Sequence, residues 1–306
     1  MKRLLSSCIL FTAALIWGVA FVAQKAAATV AVFTLTAARS IIATVALIIA
    51  VTVFDAVGKN GRRLISKRGI DISHRELIGG LLSGIALFGA TVLQQAGING
   101  TDSGKASFIT ALYVVIVPIY SLFLKKRSPL NAWIGVIISV VGFYLLCIKS
   151  DFSISPADAL VFACAFVYAI QIMVIDHYIT DSDGVRMSLV QFLTVSILSA
   201  VAALLFERPL DLHSLTECLP QILYLGIASS GIAYTLQIIG QKGTHPAAAS
   251  IILSLESVIG AAASAIILGE RLSAREYTGC AFVFAAVIIS QLDLTAIFGR
   301  YRKKST

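Results

Sequence analysis

The sequence predicts an all-α integral membrane protein whose ten transmembrane helices form two inverted five-helix repeats. Hydrophobic residues make up 58% of the 306 residues and charged residues only 13%, with a mean hydropathy of +0.90. Soluble domains are about half apolar and about a quarter charged. Ten apolar stretches are long enough to cross a bilayer, and one segment of the first half recurs in the second half.

The ten apolar stretches are each close to the length that a membrane-spanning helix needs. About 20 residues with a rise of 1.5 Å each cross a hydrocarbon core of roughly 30 Å. Backbone polar groups in lipid must be satisfied within their own segment, so each stretch is predicted to be a helix. The predicted helices cover residues 4–24, 30–54, 76–97, 104–124, 131–149, 157–176, 187–206, 220–240, 246–268 and 276–296. The first begins like a signal peptide, but no small-residue cleavage site follows it, which predicts a retained helix.

The internal repeat is clearest at one segment of 20 residues. "LQQAGINGTDSGKASFITAL" at 93–112 returns without gaps as "LQIIGQKGTHPAAASIILSL" at 236–255, with 9 identical positions. Within the first copy, "NGTDSGKA" is close to the phosphate-binding pattern G-x-x-x-x-G-K-[ST]. Asn99 replaces its first glycine, Ala106 replaces its hydroxyl residue, and the second copy lacks the lysine. We therefore expect no nucleotide binding.

The repeat divides the chain into two halves of five helices. The first repeat is predicted to cover 4–149 and the second 157–296, with a basic cytoplasmic tail at 297–306. An odd number of helices per half means that the second copy enters the membrane from the opposite face. Inverted repeats are typical of transporters, in which a substrate site near the midplane is reached by alternating access.

Lysine and arginine residues predict the orientation, because cytoplasmic loops carry more of them than external loops do. With the N-terminus inside, the inner segments hold 17 of these residues and the outer ends hold six. We expect both termini to be cytoplasmic, in the inner (cytoplasmic) membrane of the cell. The net charge of +8 thus comes from basic residues that set the orientation of the chain in its partner, the lipid bilayer. No nucleic-acid partner is expected.

The metal-binding residue types show no pattern typical of a metal or cofactor site. The five cysteines form no C-x-x-C pair, and the four histidines have no second ligand one helical turn away. We expect no metal, cofactor or catalytic residue. The oligomeric state, monomer or homodimer, stays open.

Two charged residues lie near the middle of predicted helices. Arg39 is about nine residues into the second helix, and Glu256 is about ten residues into the ninth. A charge at such depth costs roughly 2.5 to 3.5 kcal/mol, so both side chains should face the interior of the bundle. A desolvated carboxyl can exchange a proton or meet a cationic group. The alternative to a role in binding is a structural role, in which Arg39 pairs with a carbonyl or carboxylate group and Glu256 is neutral or hydrogen-bonded within the bundle.

Two amides and four aromatic residues complete the predicted substrate site. Gln94 and Gln237 occupy the same place in the two copies, and each offers a donor and an acceptor to a polar solute or to a neighbouring helix. The aromatic rings can line an apolar pocket or surround an ammonium group, although most rings in membrane proteins only pack. These aromatic candidates are Trp17, Tyr113, Tyr168 and Tyr234.

Nearly the whole chain resembles the drug/metabolite transporter superfamily, specifically its EamA-type members with ten helices. The resemblance is carried by "WGVAFVAQKAA" at 17–27 with Arg39, by "TDSGKASFITALYVVIVPI" at 101–119, and by "AAASIILSLESVIGAAASAIILGERLSAREYTG" at 247–279. It implies a secondary transporter of small metabolites, often an exporter, that does not hydrolyse ATP. Where the family commonly has proline after the glutamate of the ninth helix, this chain has Ser257, so no proline kink is expected there.

These features together predict an exporter or facilitator of small organic metabolites. Amino acids or related zwitterions are the first choice of substrate, since Arg39, Glu256, two glutamines and several rings could hold a zwitterion with an apolar side chain. A transporter of quaternary amines or drug-like cations is the alternative. An integral-membrane enzyme is more remote, because no cluster of ionisable residues at one depth is present. Whether transport is coupled to protons stays open.

Overall fold

The fold was analysed in a computed structural model that describes residues 2–57, 72–125, 128–147, 155–267 and 273–291. Within these ranges the regular structure is entirely helical, and eight helical segments are long and apolar enough to span a membrane, with two shorter apolar helices beside them. The predicted fold class, ten helices in two five-helix repeats, is confirmed. The predicted basic tail at 297–306 lies outside the described residues.

The helices have the following bounds, and three of the ten spans are made of more than one helix. The first repeat contains α1 (Lys2–Ala26), α2 (Val32–Val57), α3 (His74–Gly100), α4 (Ser103–Ala111), α5 (Tyr113–Phe123) and α6 (Leu130–Cys147). The second contains α7 (Pro156–Tyr178), α8 (Gly184–Phe206), the short α9 (Leu212–Glu217), α10 (Leu219–Leu223), a π-helix (Tyr224–Ala233), α11 (Tyr234–Gln241), α12 (Pro246–Leu253), α13 (Leu255–Ile267) and α14 (Ala274–Gln291).

The fourth and ninth spans are interrupted at nearly the same position of the repeat. Leu112 separates α4 from α5, and Ser254 separates α12 from α13. The apolar pattern does not predict either break. In the ninth span the break forms without proline, because the hydroxyl of Ser254 donates to Ile251 O (2.8 Å) and that of Ser257 donates to Ser254 O (2.7 Å). Serine hydroxyls that bond back to the preceding turn are known to bend helices.

The eighth span contains a π-helix of ten residues, Tyr224–Ala233. In a π-helix each N–H bonds to a carbonyl five residues earlier, and such segments are rare and often found at functional sites. Gly226 lets this helix approach α2 closely, since a Cβ atom there would lie 2.7 Å from Ile42 Cβ and 3.1 Å from Arg39 O. The π-helix is therefore packed directly against the turn of α2 that carries Arg39.

Most of the helix packing joins one repeat to the other. The main pairs are α3 with α7 and α8, α2 with α8, α1 with α13, and α6 with α14. The small residues of "GGLLSG" at 79–84 permit the contact of α3 with α8, as a Cβ on Gly84 would lie 2.8 Å from Gln191 O. The helices of each repeat are thus buried mainly by contact with helices of the other repeat.

The N-terminus of α2 is capped by a carboxylate from the second repeat. Glu207, at the end of α8, accepts hydrogen bonds from the backbone N–H groups of Phe33 (2.9 Å) and Thr34 (2.8 Å). The first N–H groups of a helix have no partner within the helix, and a negative charge there is favourable. Glu207 therefore supplies to α2 the acceptor that its own sequence lacks.

Equivalent helices of the two repeats end at opposite faces of the molecule. The last residue of α3, Gly100, lies beside Ala157 at the start of α7. Lys242, directly after α11, donates to Ser182 O beyond the end of α7 (2.9 Å). Since α3 and α11 occupy the same place in their repeats, the two halves have inverted orientations.

The segment "NGTDSGKA" contains the turn that joins α3 to α4. Asp102 takes the N-cap position of α4, and the equivalent residue of the second copy, His245, takes that of α12. The ammonium group of Lys105 lies 2.7 Å from Asp158 Oδ2, and the hydroxyl of Thr101 donates to Asp158 Oδ1 (2.8 Å). The lysine of the phosphate-like pattern is therefore bound by a carboxylate of the second repeat.

Candidate functional site

A cavity lies between the two repeats. All of the side chains that line it are buried, with 9% exposure or less. Each of the eight predicted substrate-binding residues lines this cavity, namely Trp17, Arg39, Gln94, Tyr113, Tyr168, Tyr234, Gln237 and Glu256. The structure thus brings the predicted set together, and its role in binding stays a prediction.

Arg39 is a buried cation whose hydrogen-bond partners are neutral. Its guanidinium donates to Ser230 Oγ (3.1 Å), Ser229 Oγ (3.4 Å) and Gln24 Oε1 (3.5 Å), and the residue is 4% exposed. Among the described residues, no carboxylate lies within ion-pair distance of Arg39, so it does not pair with Glu256. A charge removed from water without an opposite charge is costly. Arg39 is therefore a buried positive charge without a counter-charge among the described residues.

The π-helix presents two consecutive serines to Arg39. Ser229 and Ser230 both accept hydrogen bonds from the guanidinium, and Ser229 O also accepts one from Trp17 Nε1 (3.2 Å). A carbonyl in a regular α-helix is normally occupied by the helix itself, whereas the altered register of a π-helix changes which groups face a neighbour. One short segment therefore orients both the guanidinium and the indole ring.

Glu256 and Tyr113 lie at the two helix interruptions. Tyr113 is the first residue of α5 and Glu256 the second of α13, and they occupy equivalent positions in the repeat. The Tyr113 hydroxyl lies beside the Glu256 carboxyl, and Tyr113 Oη and Glu256 Oε1 have no hydrogen bond to any other described residue. Buried polar atoms are rarely left in this condition. This end of the cavity therefore offers a carboxyl oxygen that can accept a hydrogen bond.

A chain of hydrogen bonds links the aromatic residues to the first repeat. Tyr234 Oη donates to Tyr168 Oη (3.2 Å), Tyr168 Oη donates to Gln94 Oε1 (3.1 Å), and Gln94 Nε2 donates to Thr110 Oγ1 (3.2 Å). The rings of Trp17 and Tyr234 have centroids only 4.5 Å apart. The aromatic wall of the cavity is thus fixed in position by both hydrogen bonding and ring contact.

Gln94 and Gln237 have equivalent places but unlike partners. Gln237 and Gln171 exchange two amide hydrogen bonds (3.1 and 3.3 Å), and Gln171 also donates to Gln191 (3.3 Å). Gln94 instead bonds to Tyr168. Both glutamines therefore attach to α7, and the symmetry of the sequence is not kept in their contacts.

Several polar residues of the cavity were not among the predicted set. Gln171 lies in the middle of an apolar stretch, where an amide is as unexpected as a charge and could have been noticed for that reason. The other residues are less conspicuous in the sequence, because they lie at the end of a predicted helix or are small hydroxyl residues. These additional lining residues are Gln24, Thr110, Gln171 and Ser229.

The described residues show no group of three or more His, Cys, Asp or Glu side chains that could hold a metal ion. Four cysteines whose side chains the structure describes form no disulfide: Cys8, Cys164, Cys218 and Cys280.

Comparison with known proteins gives three consistent matches. The chain matches the EamA-like transporter family over residues 4–148 and again over 155–292. It is 33% identical over 214 residues to a protein of Archaeoglobus fulgidus described as an uncharacterized transporter, covering 70% of this chain and 68% of that protein. A crystal structure with 19% sequence identity shares the fold, with a TM-score of 0.73 and coverage of 94% of this chain and 96% of the other. The chain belongs to the EamA-like transporter family, whose members are membrane transporters of small molecules.

Proposed function

We propose that this protein is a secondary transporter of amino acids or related zwitterions, acting as an exporter or facilitator by alternating access at the central cavity. The observation that carries the proposal is the presence of a buried cation and a buried carboxyl, unpaired with each other, in the lining of one cavity. Arg39 is a buried cation with only neutral partners, and Glu256 is a buried carboxyl that has the Tyr113 hydroxyl beside it and no ion-pair partner among the described residues. The carboxylate of a zwitterion would compensate Arg39, and its ammonium group would donate to Glu256.

The surroundings of these two groups suit an apolar side chain. Tyr234 lines the same cavity as Arg39 and Glu256, and its ring packs against that of Trp17. The cavity combines apolar and aromatic side chains with a few polar groups, a composition typical of small-molecule sites, in which the polar groups fix orientation. We therefore favour amino acids with aliphatic or aromatic side chains.

A quaternary amine or drug-like cation is the second candidate. The aromatic rings around Glu256 would favour it, since such rings attract ammonium groups. Arg39 disfavours it, because a second cation in the same buried cavity would be repelled at low dielectric. Proton coupling is part of the proposal for either substrate, with Glu256 as the group that exchanges the proton.

The direct test is flux into liposomes that contain the purified protein. We expect uptake of an apolar amino acid, and little uptake of its decarboxylated amine or its deaminated acid, because each lacks one of the two charged groups. Protein-free liposomes correct for passive leakage. Preferential transport of the amine or of a quaternary ammonium ion would contradict the zwitterion proposal and favour the second candidate.

The orientation in the inner membrane is proposed from the distribution of positive charge. Single cysteines at positions 60 and 306, which lie outside the described residues, should resist an impermeant thiol reagent in intact cells. One at the exposed Thr216 should react. All three are made in a background without native cysteines. Labelling at position 60 from outside would reverse the proposed orientation.

A further inference from the structure

Two buried glutamines lie directly beyond the cavity, and both bond to its wall. Gln95 on α3 donates from Nε2 to Gln24 O on α1 (3.3 Å), and Gln241 on α11 donates from Nε2 to Ile172 O on α7 (3.0 Å). Both glutamines are 1% exposed. Gln24 and Ile172 each line the cavity. Each amide therefore holds a neighbouring helix against the cavity from outside it.

The two contacts correspond to each other in the inverted repeats. Helices α1 and α7 are the first of their repeats, and α3 and α11 belong to the third spans. Gln241 lies three residues beyond the position that matches Gln95 in the repeated segment, which is close to one helical turn and thus on the same side of the helix. Because α3 and α11 end at opposite ends of α7, the two contacts lie on opposite sides of the cavity.

Both glutamines share an unusual feature, a side-chain oxygen that is buried without a hydrogen-bond partner. Gln95 Oε1 and Gln241 Oε1 are both in this condition. A buried acceptor without a donor carries the cost of its lost hydration, so such atoms are few in folded proteins. The same condition therefore occurs at two matched places of the inverted repeats.

A lysine reinforces each contact further from the cavity. Lys25, in the last turn of α1, donates to Ile98 O (3.0 Å) and Thr101 O (2.8 Å) at the end of α3. Lys242, directly after α11, donates to Ser182 O beyond the end of α7. A cation at a helix C-terminus is favourable because it meets carbonyls that the helix leaves free. On each side of the cavity, one pair of helices is therefore joined both by a glutamine and by a lysine: α1 and α3 on one side, and α7 and α11 on the other.

We propose that these contacts are the two gates of the transport cycle, with Gln95 and Lys25 closing the cavity on one side and Gln241 and Lys242 closing it on the other. This proposal rests on the proposed transport function and adds the residues that control access. The present structure has both gates closed, in agreement with the low exposure of every lining residue. Alternating access then means that one pair of contacts breaks while the other remains.

The test measures access to the cavity and needs no substrate. A single cysteine replaces Ala20, a small buried residue that lines the cavity, in a background without native cysteines. An impermeant thiol reagent is added to right-side-out and to inside-out membrane vesicles. Gln95→Met and Gln241→Met keep the side-chain length and remove the amide. Gln221→Met is the matched control, because Gln221 also has an unpartnered oxygen but its side chain makes no hydrogen bond to a residue that lines the cavity.

Each gate variant should raise the labelling rate from one face only, and the two variants should act on opposite faces. Loss of one ordinary hydrogen bond predicts an increase of about threefold to tenfold. Lys25→Met and Lys242→Met should act on the same faces as their glutamines, which provides a second pair if a glutamine variant does not fold. The control should leave both rates unchanged.

Equal increases from both faces, an increase for only one of the two gates, or no increase in variants of normal melting temperature would overturn the proposal. Failure of the proposed function is seen separately, because it would appear as absent amino-acid flux with intact one-sided labelling.

Discussion

Replacing Arg39 with glutamine is expected to weaken binding of a carboxylate-bearing substrate by roughly 100-fold, since charge-assisted hydrogen bonds contribute about 1.5 to 3 kcal/mol each. The fold should persist. The partners that Arg39 loses are the neutral groups of Ser229, Ser230 and Gln24, and removing a buried charge that lacks a counter-charge also removes its desolvation cost. Thermal stabilisation of the purified protein by an apolar amino acid measures the loss of affinity.

The controls for this prediction separate charge from geometry. Arg39→Lys keeps the positive charge but not the planar fork that can bind both carboxylate oxygens, so it should lose less affinity than Arg39→Gln. The decarboxylated amine is a cation that Arg39 repels, so it should bind Arg39→Gln no more weakly than it binds the parent. Unchanged affinity for the amino acid in a folded Arg39→Gln variant would remove Arg39 from the proposed binding site.

Replacing Glu256 with glutamine is expected to leave the protein folded and to reduce flux by about tenfold to 100-fold, the value of one hydrogen bond to a charged group. The amide has nearly the same shape as the carboxyl, and Glu256 has no ion-pair partner among the described residues that the change would leave unpaired. A carboxyl can change protonation during the cycle whereas an amide cannot. We therefore also expect the pH dependence of flux to be lost in Glu256→Gln.

Tyr113→Phe is the matched control, because it removes a hydroxyl beside Glu256 and leaves the carboxyl intact. This variant should retain a pH-dependent flux. If Glu256→Gln shows normal flux with the same pH dependence as the parent, the residue has only a packing role.

A double-mutant cycle tests whether Arg39 and Glu256 act separately. The structure shows no ion pair between them, so the effects of Arg39→Gln and Glu256→Gln on stability should add to within about 0.5 kcal/mol. A direct buried pair would instead make each single substitution cost roughly 3 to 5 kcal/mol, with the double variant regaining part of the loss. Melting temperature and liposome flux are measured for the same four proteins.

Much of the cavity could be predicted because its residues are exceptions to simple rules. Arg39 and Glu256 were found from the cost of a charge at the middle of the membrane. Gln94 and Gln237 were found because the repeated segment places them at matched positions. These rules depend only on the helical rise and on burial, which the sequence determines well. They predicted which side chains face the interior, and the structure places them around one cavity.

The remaining features depend on backbone geometry that the apolar pattern does not contain. A period of 3.6 residues describes an α-helix, so it gave no indication of the π-helix that directs both Ser229 and Ser230 towards Arg39. Gln24 was placed at the last residue of its predicted helix, where an amide is expected to face water. Helix α1 continues to Ala26, which leaves Gln24 inside the bundle.

The packing between repeats has a consequence for how the chain is made. The ribosome delivers the first five helices to the membrane before the helices that cover them exist. Until Glu207 has been synthesised, the N-terminus of α2 lacks its cap, and Arg39 has neither Ser229 nor Ser230 as a partner. The first repeat is therefore inserted in the membrane without its packing partners until the second repeat has been synthesised. Cellular quality control has most access to the protein during this interval.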